Sequence, residues 1–234
     1  MDTAQFEESS QVAVTKADAA YSTLRKAIVS GEIRSGIPLD EARISDQYEI
    51  GRTPLREALK RLALEQFLIW HPRLPPVVRE TSLKDLYRLQ ESRLILEESV
   101  IRLSARRITE SQVQQLSRTA DALRDALLSG AIYEAVELDY QLHNEIAQGA
   151  DNAYLEDAVA QLNSGSLRLW HQNYSTIAAT EDVADRHRTL VNALASRDVD
   201  AAADAIRSHI DESLQNQLKL DYRTDHVGLD TRVT

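Results

Sequence analysis

The sequence predicts a mainly α-helical protein in two parts, a small N-terminal domain and a longer helical bundle. Four of the five prolines lie between residues 54 and 76, and none follows Pro76. The chain beyond this point is rich in Ala, Leu, Arg and Glu, which favour helix. Apolar residues recur there at helical spacing, separated by short polar or glycine-containing breaks. The helices are expected over 83–106, 110–129, 131–148, 152–175, 181–196 and 199–220.

The N-terminal part begins with two predicted helices. The first has Leu24, Ala27 and Ile28 at helical spacing, and we expect it to stop at Gly31, since glycine commonly ends helices. A second, short helix is expected over 40–48. The connection between them contains a glycine and a proline, which are typical of turns.

A third helix and a hairpin follow. Thr53 before Pro54 predicts a helix start, with the hydroxyl as N-cap and proline at the first helical position, and the helix is expected to end near Gln66. Residues 67–70 and 77–80 are β-like runs around a proline-rich turn. Helix, helix-turn-helix and hairpin, in this order, are typical of a winged helix-turn-helix domain.

Four regions are therefore expected along the chain. They are a disordered arm over 1–16, the winged helix-turn-helix domain over 17–80, an all-α antiparallel bundle over 81–220 and a tail over 221–234. The net charge of −10 is unevenly distributed between them. Residues 21–79 contain ten Lys or Arg against seven Asp or Glu, and residues 80–234 contain sixteen against twenty-six. This asymmetry is expected if only the N-terminal domain contacts phosphates.

The composition excludes several classes of protein. The chain has no cysteine, so disulfides and thiolate metal sites are excluded, and any metal must bind to His, Asp or Glu. No apolar run approaches 18 residues, so no membrane span is expected. The first ten residues are acidic and polar, unlike a secretory signal, and we expect a cytoplasmic protein.

Basic residues cluster at the start of the third predicted helix. Arg52, Thr53 and Arg56 lie at its N-terminus, the end that enters the major groove in helix-turn-helix proteins. Arginine matches guanine O6 and N7 with two hydrogen bonds, and helix N-terminal N–H groups suit phosphate. The alternative on charge alone is a solvated basic face of an ordinary helix.

The bundle contains four residues that could share one metal ion. Asp139 and His143 are four apart, so they project from the same helix face. His187 and His209 lie at similar distances before and after the connection at 197–198, which predicts that they face each other in an antiparallel pair. Three imidazoles and one carboxylate suit one divalent metal ion per chain. Zinc is the metal expected first, and nickel, manganese and iron are the alternatives. The competing interpretation is a set of unrelated histidines.

The segment from Tyr21 to Val78 resembles the N-terminal domain of the GntR family, and RTPLREAL (52–59) is nearly its full core motif. The resemblance implies that Arg52, Thr53 and Arg56 contact DNA and that Arg73 in the wing lies near the phosphate backbone. The sequence departs from the family pattern in three places. They are Gly51 for the usual Ser or Thr, Ser35 for the Pro before Gly36, and Leu74-Pro75-Pro76 for a glycine-rich wing tip.

Residues 139–155 and 185–210 resemble the FCD domain of the FadR subfamily of GntR regulators. The resemblance implies that Asp139, His143, His187 and His209 hold a divalent metal in the bundle core. It also implies that an arginine of the first bundle helix contacts an effector, and Arg93, four residues before Glu97, is that residue here. An exposed Arg93 paired with Glu97 on the helix surface is the alternative.

The sequence thus predicts a homodimeric transcription regulator, a repressor, that binds palindromic operator DNA and responds to a small organic acid at the metal. No catalytic residue is expected. Two other interpretations are a helical metal-dependent enzyme using the Asp and His cluster, and a structural metal site without effector. An enzyme leaves the RTPLREAL motif unexplained.

Overall fold

The computed structural model describes residues 15–80, 82–174 and 181–227. The predicted arm, except for residues 15 and 16, and the last seven residues of the predicted tail lie outside these ranges. Two short strands and nine helices occur in the described part of the chain. They are α1 (Lys16–Val29), α2 (Glu41–Gln47), α3 (Arg52–Leu64), β1 (Leu68–Ile69), β2 (Val77–Val78), α4 (Leu83–Arg107), α5 (Glu110–Ser129), α6 (Ile132–Gln148), α7 (Ala153–Tyr174), α8 (Glu181–Ala195) and α9 (Val199–Val227).

The three N-terminal helices pack around a small apolar core. Thr15 caps α1 through a capping box with Asp18, and the apolar face of α1 packs against α3. Leu24, Leu55 and Leu59 from these two helices are almost fully buried. Burial of this face, rather than helix propensity alone, holds the short helices together. The predicted order of helix, helix-turn-helix and hairpin is confirmed.

The hairpin forms the wing, and it is shorter than predicted because only two residues of each strand pair. Leu68 lies opposite Val78 and Ile69 opposite Val77 in the antiparallel register. The chain before α2 adds to this sheet, since the Gly36 N–H donates to the Val78 carbonyl at 2.9 Å. Gly36 has φ +77°, a conformation that disfavours side chains, which explains the glycine at this turn.

Helix α3 begins earlier than the sequence predicts. Its N-cap is Gly51, which makes no side-chain cap hydrogen bond, and Arg52 is the first helical residue. The prediction of Thr53 as N-cap was therefore wrong. Proline lacks an N–H, but the first-turn N–H groups have no intrahelical partner, so Pro54 is tolerated at the third helical position. Thr53 is left exposed with its hydroxyl outside the cap.

Helices α4 to α9 form the predicted bundle, with α4 packed on α9, α5 on α6 and α8, and α6 on α7. Thr109 caps α5 through the predicted capping box with Gln112, and Gly130 ends that helix in the left-handed conformation. Helix α9 continues to Val227, so the tail predicted to begin at residue 221 is helical in its first seven residues. Within the described ranges, no helix is long and apolar enough to cross a bilayer.

The two parts of the molecule contact each other through α1. Arg25 of α1 donates to Glu137 of α6 at 2.7 Å, and its guanidinium lies 4.8 Å from the ring centre of Tyr140. The Arg25 side chain is only 11% exposed. The helix that packs on α3 is therefore joined to the helix that carries Asp139 and His143.

Candidate functional site

Three of the residues predicted to contact DNA lie together at the start of α3. Arg52, Thr53 and Arg56 line one side of a cleft of about 670 Å³ between α2 and α3. Each of them is exposed, and the Arg56 side chain is 66% exposed. Because Gly51 provides no side-chain cap, the first N–H groups of α3 also face outward without an intrahelical partner. An exposed cluster of this kind suits contacts with base edges and phosphate.

Two other features border this surface. Arg56 Nε donates to Glu41 Oε2 of α2 at 2.8 Å, a contact that the sequence did not reveal because it joins two helices. Arg73 lies apart from the cleft, in the wing turn, where it is exposed and adopts φ +66°. The turn places its side chain at the tip of the hairpin.

The four predicted metal ligands lie together in the centre of the bundle. Asp139 and His143 come from α6, His187 from α8 and His209 from α9, and one donor atom from each lies within 4.8 Å of all the others. All four side chains are buried. His187 Nε2 is 2.8 Å from Asp139 Oδ1, and His143 Nε2 is 3.1 Å from His209 Nε2. The sequence prediction that His187 and His209 face each other agrees with ring centres 4.7 Å apart.

Hydrogen bonds outside the cluster orient two of the imidazoles. His143 Nδ1 donates to Glu97 Oε2 at 2.6 Å, and His187 Nδ1 donates to the Val183 carbonyl at 2.9 Å. A carboxylate and a carbonyl can only accept, so Nδ1 carries a proton in both rings, and Nε2 is the ring atom that faces the cluster. This arrangement is common for metal-binding histidines, whose second nitrogen is held by an acceptor.

The protonation states also suit a metal. Burial lowers the pKa of His209 well below its usual value, and the nearby His187 and His143 lower it further. Burial opposes ionisation of Asp139, but the hydrogen bond from His187 and the neighbouring His143 outweigh it and bring the pKa to about 2. A metal ligand must be neutral imidazole or ionised carboxylate. The residues present therefore fit a divalent ion.

Arg93 lies beside this cluster and is 1% exposed. Its Nε donates to Glu97 Oε1 at 2.6 Å, and its Nη2 is 3.4 Å from His143 Nε2. The alternative prediction, an exposed ion pair of Arg93 with Glu97, is right about the pairing but wrong about the exposure, because the pair is buried. Burial would raise the pKa of Glu97, yet Arg93 and His143 outweigh it and lower the pKa to about 2. Arg93 and Glu97 form a buried ion pair that extends to the candidate metal ligands.

A winged helix-turn-helix domain joined to a helical bundle with a buried polar centre defines a class of DNA-binding regulators with a ligand-sensing domain. Comparison with known families agrees. Residues 16–78 match the model for bacterial regulatory proteins of the gntR family, and residues 85–212 match the FCD domain. The chain belongs to the GntR family of bacterial regulatory proteins that carry an FCD domain. It is a DNA-binding transcription regulator and not an enzyme.

Individual relatives are regulators as well. The chain is 29% identical over 192 residues to the HTH-type transcriptional repressor RspR of Escherichia coli (strain K12), covering 82% of this chain and 84% of that protein. It is also 29% identical over 198 residues to the Nta operon transcriptional regulator of Aminobacter aminovorans, with 82% and 90% covered. The solved structure of E. coli McbR/YncC shares the fold, with a TM-score of 0.76 at 19% identity, covering 88% of this chain and 98% of that one.

Proposed function

We propose that this chain is a homodimeric repressor whose binding to a palindromic operator is controlled by a small organic acid bound beside a metal ion. The observation that carries the proposal is the position of Arg93. A buried guanidinium lies 3.4 Å from one candidate ligand of a four-residue metal site. A buried anion needs compensating charge and hydrogen bonds, and this corner of the bundle offers both.

Asp139, His143, His187 and His209 would hold the ion. When bound, it would supply positive charge and coordination positions for a ligand oxygen, since four protein ligands leave room in a five- or six-coordinate ion. Zinc is the first expectation because histidine and carboxylate are common zinc ligands, and nickel, manganese and iron also suit this set. The planar guanidinium of Arg93 would bind the carboxylate of the same ligand through two charge-assisted hydrogen bonds.

The recognition helix α3 would bind one half-site in the major groove, with Arg52, Thr53 and Arg56 at base edges or phosphate and Arg73 near the backbone. Two copies related by a twofold axis would then read a palindrome. The two DNA-binding domains of the dimer would have two relative arrangements. A ligand that binds one arrangement more tightly than the other shifts the population toward it, and this is the physical basis of the proposed control. RspR, a repressor by name, supports repression as the direction.

The test begins with DNA sequences selected from a random library by the purified protein. Zinc-loaded protein is titrated onto the selected operator in the presence and absence of a panel of small carboxylates, and the same panel is screened by thermal shift. We expect at least one carboxylate to raise the melting temperature and to change operator affinity, and chelation to remove both effects. A protein that selects an operator but binds no carboxylate with or without metal would contradict the proposed control.

A structural metal site without effector is the second candidate, favoured by the complete pairing of Glu97 with Arg93 and His143. This candidate predicts that metal raises stability while carboxylates have no further effect. The two candidates are therefore separated by the carboxylate arm of the same thermal-shift experiment.

A further inference from the structure

The tip of the wing, residues 71–76, contains three prolines and one leucine. Pro72, Pro75 and Pro76 each have a fixed φ and no backbone N–H. The N–H of Leu74 is used inside the turn, where it donates to the His71 carbonyl at 3.2 Å. Four of the six residues therefore have no free backbone N–H. A partner that meets the tip finds few backbone donors there.

The base of the tip is fixed to the rest of the DNA-binding domain. Pro76 is buried, and its carbonyl accepts the Leu39 N–H at 2.8 Å. Pro38 forms an antiparallel bridge with Val77, the residue that follows the tip. These contacts and the fixed proline dihedrals hold the tip in one conformation, so that little conformational freedom is lost when it binds a partner.

The same contacts place the tip beside the DNA-binding face of α3. Leu39, which is bound to the base of the tip, lies two residues before Glu41, the first residue of α2. Glu41 accepts a hydrogen bond from Arg56 of α3 at 2.8 Å. One short connection therefore joins the wing tip to a residue expected to contact base edges, and a duplex bound at Arg56 passes close to the tip.

Leu74 is the apolar residue that this tip presents to a partner. It is 59% exposed, and its neighbour Arg73 is exposed as well. Single exposed apolar residues are common on protein surfaces and need no explanation by themselves. Leu74 differs from them because it lies on a rigid tip next to a DNA-binding face, where its apolar surface can be buried by bound DNA.

The geometry of DNA indicates which groove the tip meets. With α3 in the major groove, the minor groove faces the protein about half a helical turn away, or about five base pairs. An A·T pair presents only the acceptors A N3 and T O2 in the minor groove, whereas a G·C pair adds the amino donor on guanine N2. A leucine cannot accept a hydrogen bond from that amino group, so covering it leaves a donor unmet.

We infer that Leu74 is a specificity-determining residue that covers the minor groove beside each half-site and selects A·T over G·C base pairs there. The inference rests on the proposed placement of α3 in the major groove, and it is independent of the metal and the effector. Arg73, near the phosphate backbone, contributes affinity for any sequence. Leu74 contributes selectivity, because it excludes the guanine amino group.

The first arm of the test changes the DNA. Each base pair of the selected operator and its flanks is replaced symmetrically in both half-sites, by G·C and by inosine·cytosine, and affinity is measured by competition gel shift. Inosine lacks the guanine amino group, so its pair resembles A·T in the minor groove and G·C in the major groove. At an A·T position about five base pairs from the Arg56 contact, G·C should weaken binding at least about ten-fold and inosine·cytosine less than about two-fold.

The second arm changes the protein. In Leu74→Ala the smaller side chain leaves room for water at the amino group, so the penalty for G·C should fall below about three-fold. Leu74→Asn provides an amide oxygen that can accept from the amino group, and it should bind the G·C operator at least as tightly as the A·T operator. Arg73→Ala should weaken binding to both operators by the same factor.

Leu128→Ala, which truncates a leucine that is 47% exposed on α5, is the matched control and should keep the wild-type preference for A·T. Because Leu74 is exposed, its variants should melt at the wild-type temperature, so a change in selectivity reports on the DNA contact alone.

Three results would overturn the inference. They are equal binding of A·T and G·C operators by wild type, inosine·cytosine that weakens binding as much as G·C, and a full G·C penalty in Leu74→Ala. If Arg56→Ala keeps its selectivity while Leu74→Ala loses the preference for A·T, the placement of α3 fails and the role of Leu74 stands.

Discussion

Arg56 is the residue on which base selectivity is expected to depend most. In the free protein it pairs with Glu41, and both side chains are at least 32% exposed. An exposed ion pair of this kind contributes about 0–1 kcal/mol, less than the roughly 1–3 kcal/mol of a two-bond contact with guanine. We therefore expect the exchange of Glu41 for a guanine edge to be favourable.

We accordingly expect Arg56→Ala to weaken binding to the selected operator by about 1–3 kcal/mol and to relax selectivity at one base pair of each half-site. Competition gel shifts with single-base operator variants measure both effects. Arg118→Ala, which removes an exposed charge from α5, is the matched control and should leave affinity and selectivity unchanged. Unaltered selectivity in Arg56→Ala would remove this residue from base recognition.

Arg93 can be tested without disrupting the core if its charge is kept. Substitution by alanine would leave Glu97 buried without its arginine partner. Such a change costs about 3–5 kcal/mol, so a loss of stability would obscure the effect on ligand binding. Arg93→Lys retains a cation beside Glu97 but loses the planar fork. We expect carboxylate affinity to fall by about ten-fold or more, with metal content and effector-free operator binding unchanged. A carboxylate response equal to wild type would exclude Arg93 from the effector site.

The sequence predicted the individual candidate ligands better than their surroundings. Asp139 and His143 are four residues apart and need only one helix to come together, and His187 and His209 need only one antiparallel pair. The hydrogen bond from His143 to Glu97 depends on how α4 is rotated against α6, and no local pattern contains that rotation. Glu97 could be found from the sequence only as a neighbour of Arg93 on the same helix.

At the scale of elements, helix ends were predictable where a side chain caps them. Thr109 and Gly130 bound α5 as expected, because a capping box and a left-handed glycine are local signals. The start of α3 was predicted wrongly because proline is tolerated throughout a first turn. The end of α9 was missed because polar residues after Leu220 provide no signal that separates an exposed helix from a tail.

The candidate metal site joins the helix pair α8 and α9 to α6, which lies earlier in the chain. An ion bound only by the folded state adds stability by mass action, about 2.7 kcal/mol at one hundred times its dissociation constant. We expect chelation to lower the melting temperature by about 5–10 °C and metal analysis to find one divalent ion per chain.

His209→Ala should bind no metal and should melt at the same temperature with or without chelator. His71→Ala, in the exposed wing turn, should behave like wild type in both measurements. A chelator-sensitive melting temperature in His209→Ala would show that the ion binds elsewhere.

A palindromic operator has two half-sites, so the whole molecule that binds it requires two DNA-binding domains. One domain of this size carries one recognition helix, and a twofold dimer places two such helices on successive major grooves about one helical turn of DNA apart. Sedimentation analysis should therefore show a dimer that binds one operator with two half-sites. A monomer that binds a single half-site with full affinity would contradict this expectation.

The contact between the two domains includes the ion pair of Arg25 and Glu137. The Arg25 side chain is 11% exposed and that of Glu137 is 26% exposed, and Arg25 also stacks on Tyr140. Nε and Nη2 of Arg25 have no hydrogen-bond partner among the described residues, so Glu137 carries most of the compensation for burying this cation. Because Glu137 and Asp139 share α6, this pair gives a short physical connection between the candidate metal site and the DNA-binding domain.

A double-mutant cycle with Arg25→Ala and Glu137→Gln measures the contribution of this pair. We expect a coupling free energy of about 1–3 kcal/mol in denaturant unfolding, because partial burial limits solvent screening. The exposed pair of Arg188 and Asp121, whose side chains are 52% and 63% exposed, is the matched control and should couple by less than about 1 kcal/mol. Equal coupling in the two cycles would mean that the domain contact gains nothing from burial and that α1 and α6 are held together by apolar packing instead.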